Sequence, residues 1–269
     1  MKLIASANNY EHLKELINMN IDGIFLSIDK LAVNDSFYIN IDDLNKIDFK
    51  NKEIFLSLNK LMHNSDLPIL KKTLSLLKDK NIRIMFYDMA VYNYAKEYNM
   101  LDKLVIMQDH LNASTLSNKF YEKRGIKGSF ITSDITKDEL LEIKRNSNME
   151  IFFLGYGYAP IFYSRRYLIT NYLKYIDKPI DSNNYKIVSD TNNEYIIDEE
   201  EFGSTVYTQK PINLINYLDS LKEIDYLVLK SNKIPNDEFN KMVNNFINHE
   251  KIEDTYTGFF MQKTIYKVK

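Results

Sequence analysis

EIFFLGYGYAPIFYSRR, residues 150–166, is the stretch on which the fold is read. After Glu150 it runs apolar to Tyr156 with only Gly155 interrupting, then turns through Pro160 into tyrosines and the adjacent Arg165 and Arg166. An apolar run without alternation predicts a strand buried on both faces, as in a parallel sheet covered by helices. Working outward, runs of the same kind recur at KLIAS (2–6), GIFLSI (23–28), EIFLSL (53–58), RIMFYD (83–88), KLVIMQ (103–108), GSFITS (128–133) and YLVLKS (226–231).

Stretches of helical period separate these runs: YEHLKELINMN, LPILKKTLSLLKDK, VYNYAKEYNM, ASTLSNKFYEKRG and TKDELLEIKRN. Their boundaries have local causes. Ser65-Asp66 precedes a helix with Pro68 in its first turn, where a missing N–H costs nothing. Thr136 and Glu139 have the spacing of a capping box, and Gly125 fits a helix stop. Serial β-α alternation with about eight strands predicts an α/β fold of the TIM-like β/α-barrel type. An open doubly wound sheet is the alternative.

The rhythm breaks at 157–210, where a loop and a helix-like SRRYLITNYLKYI precede three alternating segments, YKIVSD, NEYIIDEE and GSTVYT. They predict a small antiparallel β insertion after the seventh strand, at the end where barrel enzymes keep their active sites. PINLINYLDSLKEI then returns to the helix–strand pattern. The expectation is one domain over 1–269.

Composition narrows the function. The 269 residues are 45% hydrophobic and 27% charged, enough for a core and a hydrated surface. A formal charge of −2 and a pI near 6.1 exclude a generally basic nucleic-acid coat, so no DNA partner is expected, but a local basic patch stays open. With no cysteine there is no disulfide, no thiolate metal site and no cysteine-ligated cluster. The N-terminus lacks a signal-like apolar stretch and no run has spanning length, so a cytoplasmic, membrane-free protein is expected.

Few side chains are placed for chemistry. His12, His63, His110 and His249 are scattered and show no metal-binding spacing, so no metal site is expected. His110 directly follows the fifth strand in QDHLNAS and becomes a candidate acid/base group, because imidazole titrates near neutrality. Asn112 shares its turn, as a substrate contact or as a cap for the next helix. Gly155-Tyr156-Gly157 is only a GxG and no GxSxG elbow exists, so nucleotide and serine-nucleophile readings are weak. Arg165 and Arg166 are two of only five arginines. At a barrel mouth they could hold carboxylates or RNA phosphate, with Tyr158 and Tyr163 offering faces for an unpaired base. The competing reading is a solvated helix start whose arginines pair with Asp198, Glu199, Glu200 or Glu201.

GYAPIFYSRRYLITNY (157–172) resembles the hallmark segment of the U32 peptidase family, often labelled collagenase-like proteases. Residues 109–143, 196–231 and 257–267 resemble further family blocks in the same order, so the resemblance covers most of the chain. The family Gly falls on Gly157, its Pro on Pro160, its Ser on Ser164 and its Arg on Arg166. Its acidic pair falls on Glu199 and Glu200, followed by Gly203. The usual strand Glu falls on Phe152, with Glu150 matching only after an insertion, and the usual His is Thr205. The cysteines that bind an iron–sulfur cluster in one branch are absent.

The resemblance implies a β/α-barrel domain and two activities. Some members are described as peptidases. Others work in pairs in oxygen-independent or prephenate-dependent hydroxylation of ubiquinone precursors, ribosomal RNA or the wobble uridine of tRNA. This sequence is similar to the shorter members of Gram-positive pairs linked to tRNA hydroxylation. That implies a tRNA substrate, a longer U32 paralogue as partner, prephenate as co-substrate and no iron–sulfur cluster. His110, Glu199 and Glu200 are then the catalytic candidates, and Arg165, Arg166, Tyr158, Ser164, Asn112 and Tyr163 the substrate-binding ones. A peptidase on the same fold and a non-catalytic partner of the longer paralogue are the alternatives.

Overall fold

The computed structural model describes residues 1–108, 111–180 and 185–263. In chain order the elements are β1 (Lys2–Ser6), α1 (Tyr10–Asn18), β2 (Gly23–Ile28), β3 (Tyr38–Ile39), β4 (Glu53–Leu58), α2 (Leu67–Leu77), β5 (Arg83–Phe86), α3 (Met89–Glu97) and β6 (Leu104–Met107). They continue as α4 (Thr115–Glu122), β7 (Gly128–Phe130), α5 (Lys137–Arg145), β8 (Glu150–Gly157), β9 (Pro160–Ser164), α6 (Leu168–Tyr175), β10 (Tyr185–Val188), β11 (Glu194–Glu200), β12 (Gly203–Tyr207), β13 (Ile212–Asn213), β14 (Tyr226–Leu229) and α7 (Asn236–Asn248).

Eight parallel strands, β1, β2, β4, β5, β6, β7, β8 and β14, pair in that order, and β14 pairs with β1 to close the barrel. These are the eight apolar runs of the sequence. Closure follows from their burial on both faces: with helices outside and side chains filling the axis, no apolar edge is left for water. At the axis the rings of Phe55, Phe152 and Tyr226 lie with centroids 4.4–5.6 Å apart. Below them, at the N-terminal ends of the strands, Lys2 pairs with Glu53, which also accepts from the Tyr226 hydroxyl at 2.8 Å, and Arg83 pairs with Glu150 at 2.5 Å. Phe152 and Glu150, the two positions open to the family glutamate, therefore belong to the barrel's packing and its floor.

The local signals act as read. Thr136 and Glu139 form the capping box of α5, and Pro68 sits in the first turn of α2. Gly125 adopts φ +88 three residues beyond α4. Two expectations need correction. PINLINYLDSLKEI makes the short strand β13, paired with the end of β8, and a 3-10 turn at Ile215–Leu221 instead of an α-helix. The expected loop before SRRY is strand β9, which pairs with β12 and makes the insertion a four-stranded antiparallel sheet, β10-β11-β12-β9, with α6 against it.

Candidate functional site

The insertion sheet lies over the C-terminal mouth of the barrel as a lid, and six polar contacts fasten it there. Thr205 Oγ1 on β12 donates to Asn34 Oδ1 at 2.5 Å. Asn232 Nδ2 donates to the Tyr207 hydroxyl at 3.2 Å. Lys233 pairs with Asp198. The Tyr38 hydroxyl donates to Glu200 Oε2 at 3.1 Å. Arg165 Nη1 donates to the Leu61 carbonyl at 2.7 Å and to Asp66 Oδ2 at 3.0 Å.

Two glycines permit this geometry. Gly157, where β8 leaves the barrel, has φ +130, and a Cβ there would stand 2.5 Å from the Lys230 carbonyl oxygen. Gly203, the first residue of β12, has the same φ, and a Cβ would overlap the Ser164 carbonyl. Both positions need a residue without a side chain.

Arg165 pairs with Asp66, not with the acidic run at 198–201 that the competing reading offered it. Asp66 also accepts from Lys60 at 3.0 Å, a lysine only 1% exposed whose ammonium sits 4.0 Å from the Phe202 ring centre. Burial would raise the Asp66 carboxyl, but the His63 N–H, Lys60 and Arg165 outweigh it and hold it below its ordinary value. Lys60 and Arg165 thus share the Asp66 carboxylate. Among the described residues the Nε and Nη2 of Arg165 have no protein acceptor, and the exposed Arg166 guanidinium has none either. The Tyr163 hydroxyl donates to the Phe202 carbonyl at 3.0 Å, and burial pushes its pKa up to about 12. Tyr158 is half-buried beside Glu238.

Ser164 accepts the Arg166 N–H at 3.2 Å and shapes the turn into α6. Glu199 caps that helix. Its carboxylate accepts from the N–H groups of Ile169 (2.8 Å) and Thr170 (3.2 Å), from the Thr170 hydroxyl and from Ser204 Oγ (3.2 Å). This delays the helix to Leu168. Glu200, its neighbour in sequence, points to the other face of β11, where burial raises its pKa against the Tyr38 hydrogen bond. Asn112 is buried and donates to Ser129 Oγ at 2.7 Å and to the Phe130 carbonyl at 3.0 Å, while Ser114 caps α4. His110 and Asp109 lie outside the described residues. His12 is a satisfied core histidine: Nδ1 accepts from Asn8 N–H, so Nε2 carries the proton toward Asn240 Oδ1 at 3.0 Å. Among the described residues no three His, Asp or Glu side chains converge as a metal site, and no helix is long and apolar enough to cross a membrane.

Sequence reasoning missed a second buried ion pair at the mouth. Lys230, at the end of β14, stands 2.9 Å from Asp35, and their side chains are 8% and 5% exposed. Ser27 on β2 donates to the other Asp35 oxygen at 2.5 Å, and the ammonium lies 4.8 Å from the Phe25 ring centre. Burial raises the Asp35 carboxyl above its ordinary value, against the pull of Lys230 and Ser27. The available signal was a lysine placed immediately after an apolar barrel strand, at its C-terminal end. Lys230 and Asp35 are joined only by the closed fold.

Comparison with known proteins places this geometry in a family. The chain is 26% identical over 192 residues to "tRNA hydroxylation protein P2" of Bacillus subtilis (strain 168), an alignment covering 67% of this chain. It spans about 62% of that relative's length. The profile of peptidase family U32 matches residues 8–252, nearly the whole barrel with its lid. The chain belongs to peptidase family U32.

Proposed function

We propose that this chain is the short subunit of a prephenate-dependent system that hydroxylates the wobble uridine of tRNA, working beside a longer U32 paralogue. The observation that carries the reading is the similarity to a protein named for tRNA hydroxylation across most of the barrel. The mouth chemistry supports it. Arg165 is held by Asp66 and Leu61 and presents its remaining edge as a fork for a carboxylate. Arg166, exposed one residue further along, suits a tRNA phosphate. Exposed Phe162, Tyr167, Tyr172 and Tyr175 on the lid offer surface to a partner or to unpaired bases.

Deleting the gene and analysing tRNA nucleosides by mass spectrometry tests the proposal. Hydroxylated wobble uridine is expected to disappear and to return with the wild-type gene. Unchanged hydroxylation in the deletion strain refutes it.

A further inference from the structure

A hollow of about 660 Å³ opens where the end of β8, β13 and α7 meet the chain at 254–256. Its volume is that of small-molecule sites, and it shares no lining residue with the lid arginines or the Lys230–Asp35 pair. Tyr156 of β8 and Asn213 of β13 are its most buried members, 2% and 6% exposed. Glu238 and Met242, one turn apart on α7, line it from the same helix face. Backbone contacts hold the segment after α7 in place. The Asn213 N–H donates to the Tyr256 carbonyl at 2.8 Å. Asn216 exchanges two bonds with the backbone of Ile252, Nδ2 donating at 2.8 Å and Oδ1 accepting at 3.1 Å.

Asn216 is thus spent on structure, but Asn213 is not. Its Oδ1 accepts the Ile215 N–H at 3.1 Å, which fixes the orientation of the amide. Its Nδ2 then finds only the Met242 thioether, a weak acceptor, at 3.4 Å. A buried amide donor with so poor a partner calls for an oxygen in the hollow. The charges around it are also unspent. Glu238, Asp254 and Lys210 line the hollow as exposed residues, and among the described residues none of them has an ion-pair partner. The Tyr156 hydroxyl donates to Glu238 Oε1 at 3.5 Å and orients that carboxylate. Tyr217 and Tyr256 add ring faces to the lining, surfaces that attract an organic cation.

We infer that this hollow binds a free α-amino acid with a cationic side chain. Two carboxylates and one ammonium line it, and such a ligand carries two cations and one carboxylate. The ligand carboxylate accepts from the buried Asn213 amide and pairs with Lys210. Its α-ammonium and its side-chain cation pair with Glu238 and Asp254 beside the tyrosine rings. A dianionic acid would instead meet two carboxylates against one lysine, which sets this site apart from the arginines of the lid. The inference does not rest on the tRNA reading, and either can fail without the other.

The test is isothermal titration calorimetry of the full chain with L-lysine, L-arginine, L-norleucine and cadaverine. At least one of the two basic amino acids is expected to bind. L-Norleucine lacks the side-chain cation and cadaverine lacks the carboxylate. Each should bind about tenfold or more weakly than the better basic amino acid, as for loss of one charge-assisted pair. Glu238→Gln and Lys210→Met change exposed side chains and should leave the melting temperature of the free chain at its wild-type value. Each should nonetheless weaken binding of that amino acid about tenfold. No binding of either basic amino acid at millimolar concentration overturns the inference. So does equal affinity for L-norleucine or cadaverine, or unchanged affinity in either variant.

Discussion

Glu199 is one of the acidic pair that the family resemblance marks for catalysis, and its geometry predicts a structural role that can be measured. Its carboxylate accepts two backbone N–H groups at the start of α6 and the hydroxyls of Thr170 and Ser204. A hydrogen bond to a charged acceptor contributes about 1.5–3 kcal/mol, and loss of a helix cap costs about 0.5–2 kcal/mol. These overlap, because the same contacts are counted in both, so Glu199→Ala should cost about 2–4 kcal/mol. Glu199→Gln keeps one acceptor oxygen and loses the charge facing the helix N-terminus, which brings the cost to about 1–2 kcal/mol. At about 2–4 °C per kcal/mol for a chain near this size, the alanine variant should melt about 4–16 °C lower. If the lid opens separately from the barrel, the loss appears as faster amide exchange in Leu168–Tyr175 rather than in the main transition. Differential scanning fluorimetry and hydrogen exchange on both variants read this directly. At a temperature where Glu199→Gln is folded, it should retain tRNA hydroxylation. Wild-type melting and exchange in Glu199→Ala, with hydroxylation abolished in Glu199→Gln, would show that the carboxylate serves chemistry and refute the reasoning.

Two further outcomes follow from the lid. Gly203→Ala places a methyl on the Ser164 carbonyl at a backbone conformation that side chains avoid, and should destabilise the protein by about 3 kcal/mol or more, seen as limited proteolysis within 157–210. The raised pKa of Glu200 means the folded state holds its proton more tightly than the unfolded chain. Its contribution is fully present below the unfolded value near 4.5 and is lost as pH rises through the folded value. Glu200→Gln should therefore gain melting temperature relative to wild type as pH is raised from about 4.5, and a difference independent of pH contradicts this assignment.

The barrel was legible because its strands are buried on both faces, which writes them as apolar runs with no alternation to confuse them with the surface. Thr136, Pro68 and Gly125 were legible for the same local reason: each acts within one turn of chain. The lid's fourth strand was not. Pro160-Ile-Phe-Tyr-Ser has neither a buried run nor a clear alternation, and it becomes a strand only by pairing with Gly203–Tyr207 about forty residues later. Arg165 could be singled out as a rare cation, but its partner Asp66 lies 99 residues away, and nothing in the sequence links the two. The Lys230–Asp35 pair was hidden most deeply. Lys230 directly follows β14 and Asp35 lies in the segment between β2 and β3, nearly two hundred residues earlier, and barrel closure through β1 brings them together.

Arg166 gives the most direct test of the functional account, since its exposed guanidinium has no partner among the described residues and its removal should leave the fold intact. The measurement is the level of hydroxylated wobble uridine in tRNA from cells carrying Arg166→Ala at the native locus, normalised to the amount of protein. The account predicts a marked loss of the modification at wild-type protein level. Full hydroxylation in that strain would contradict it.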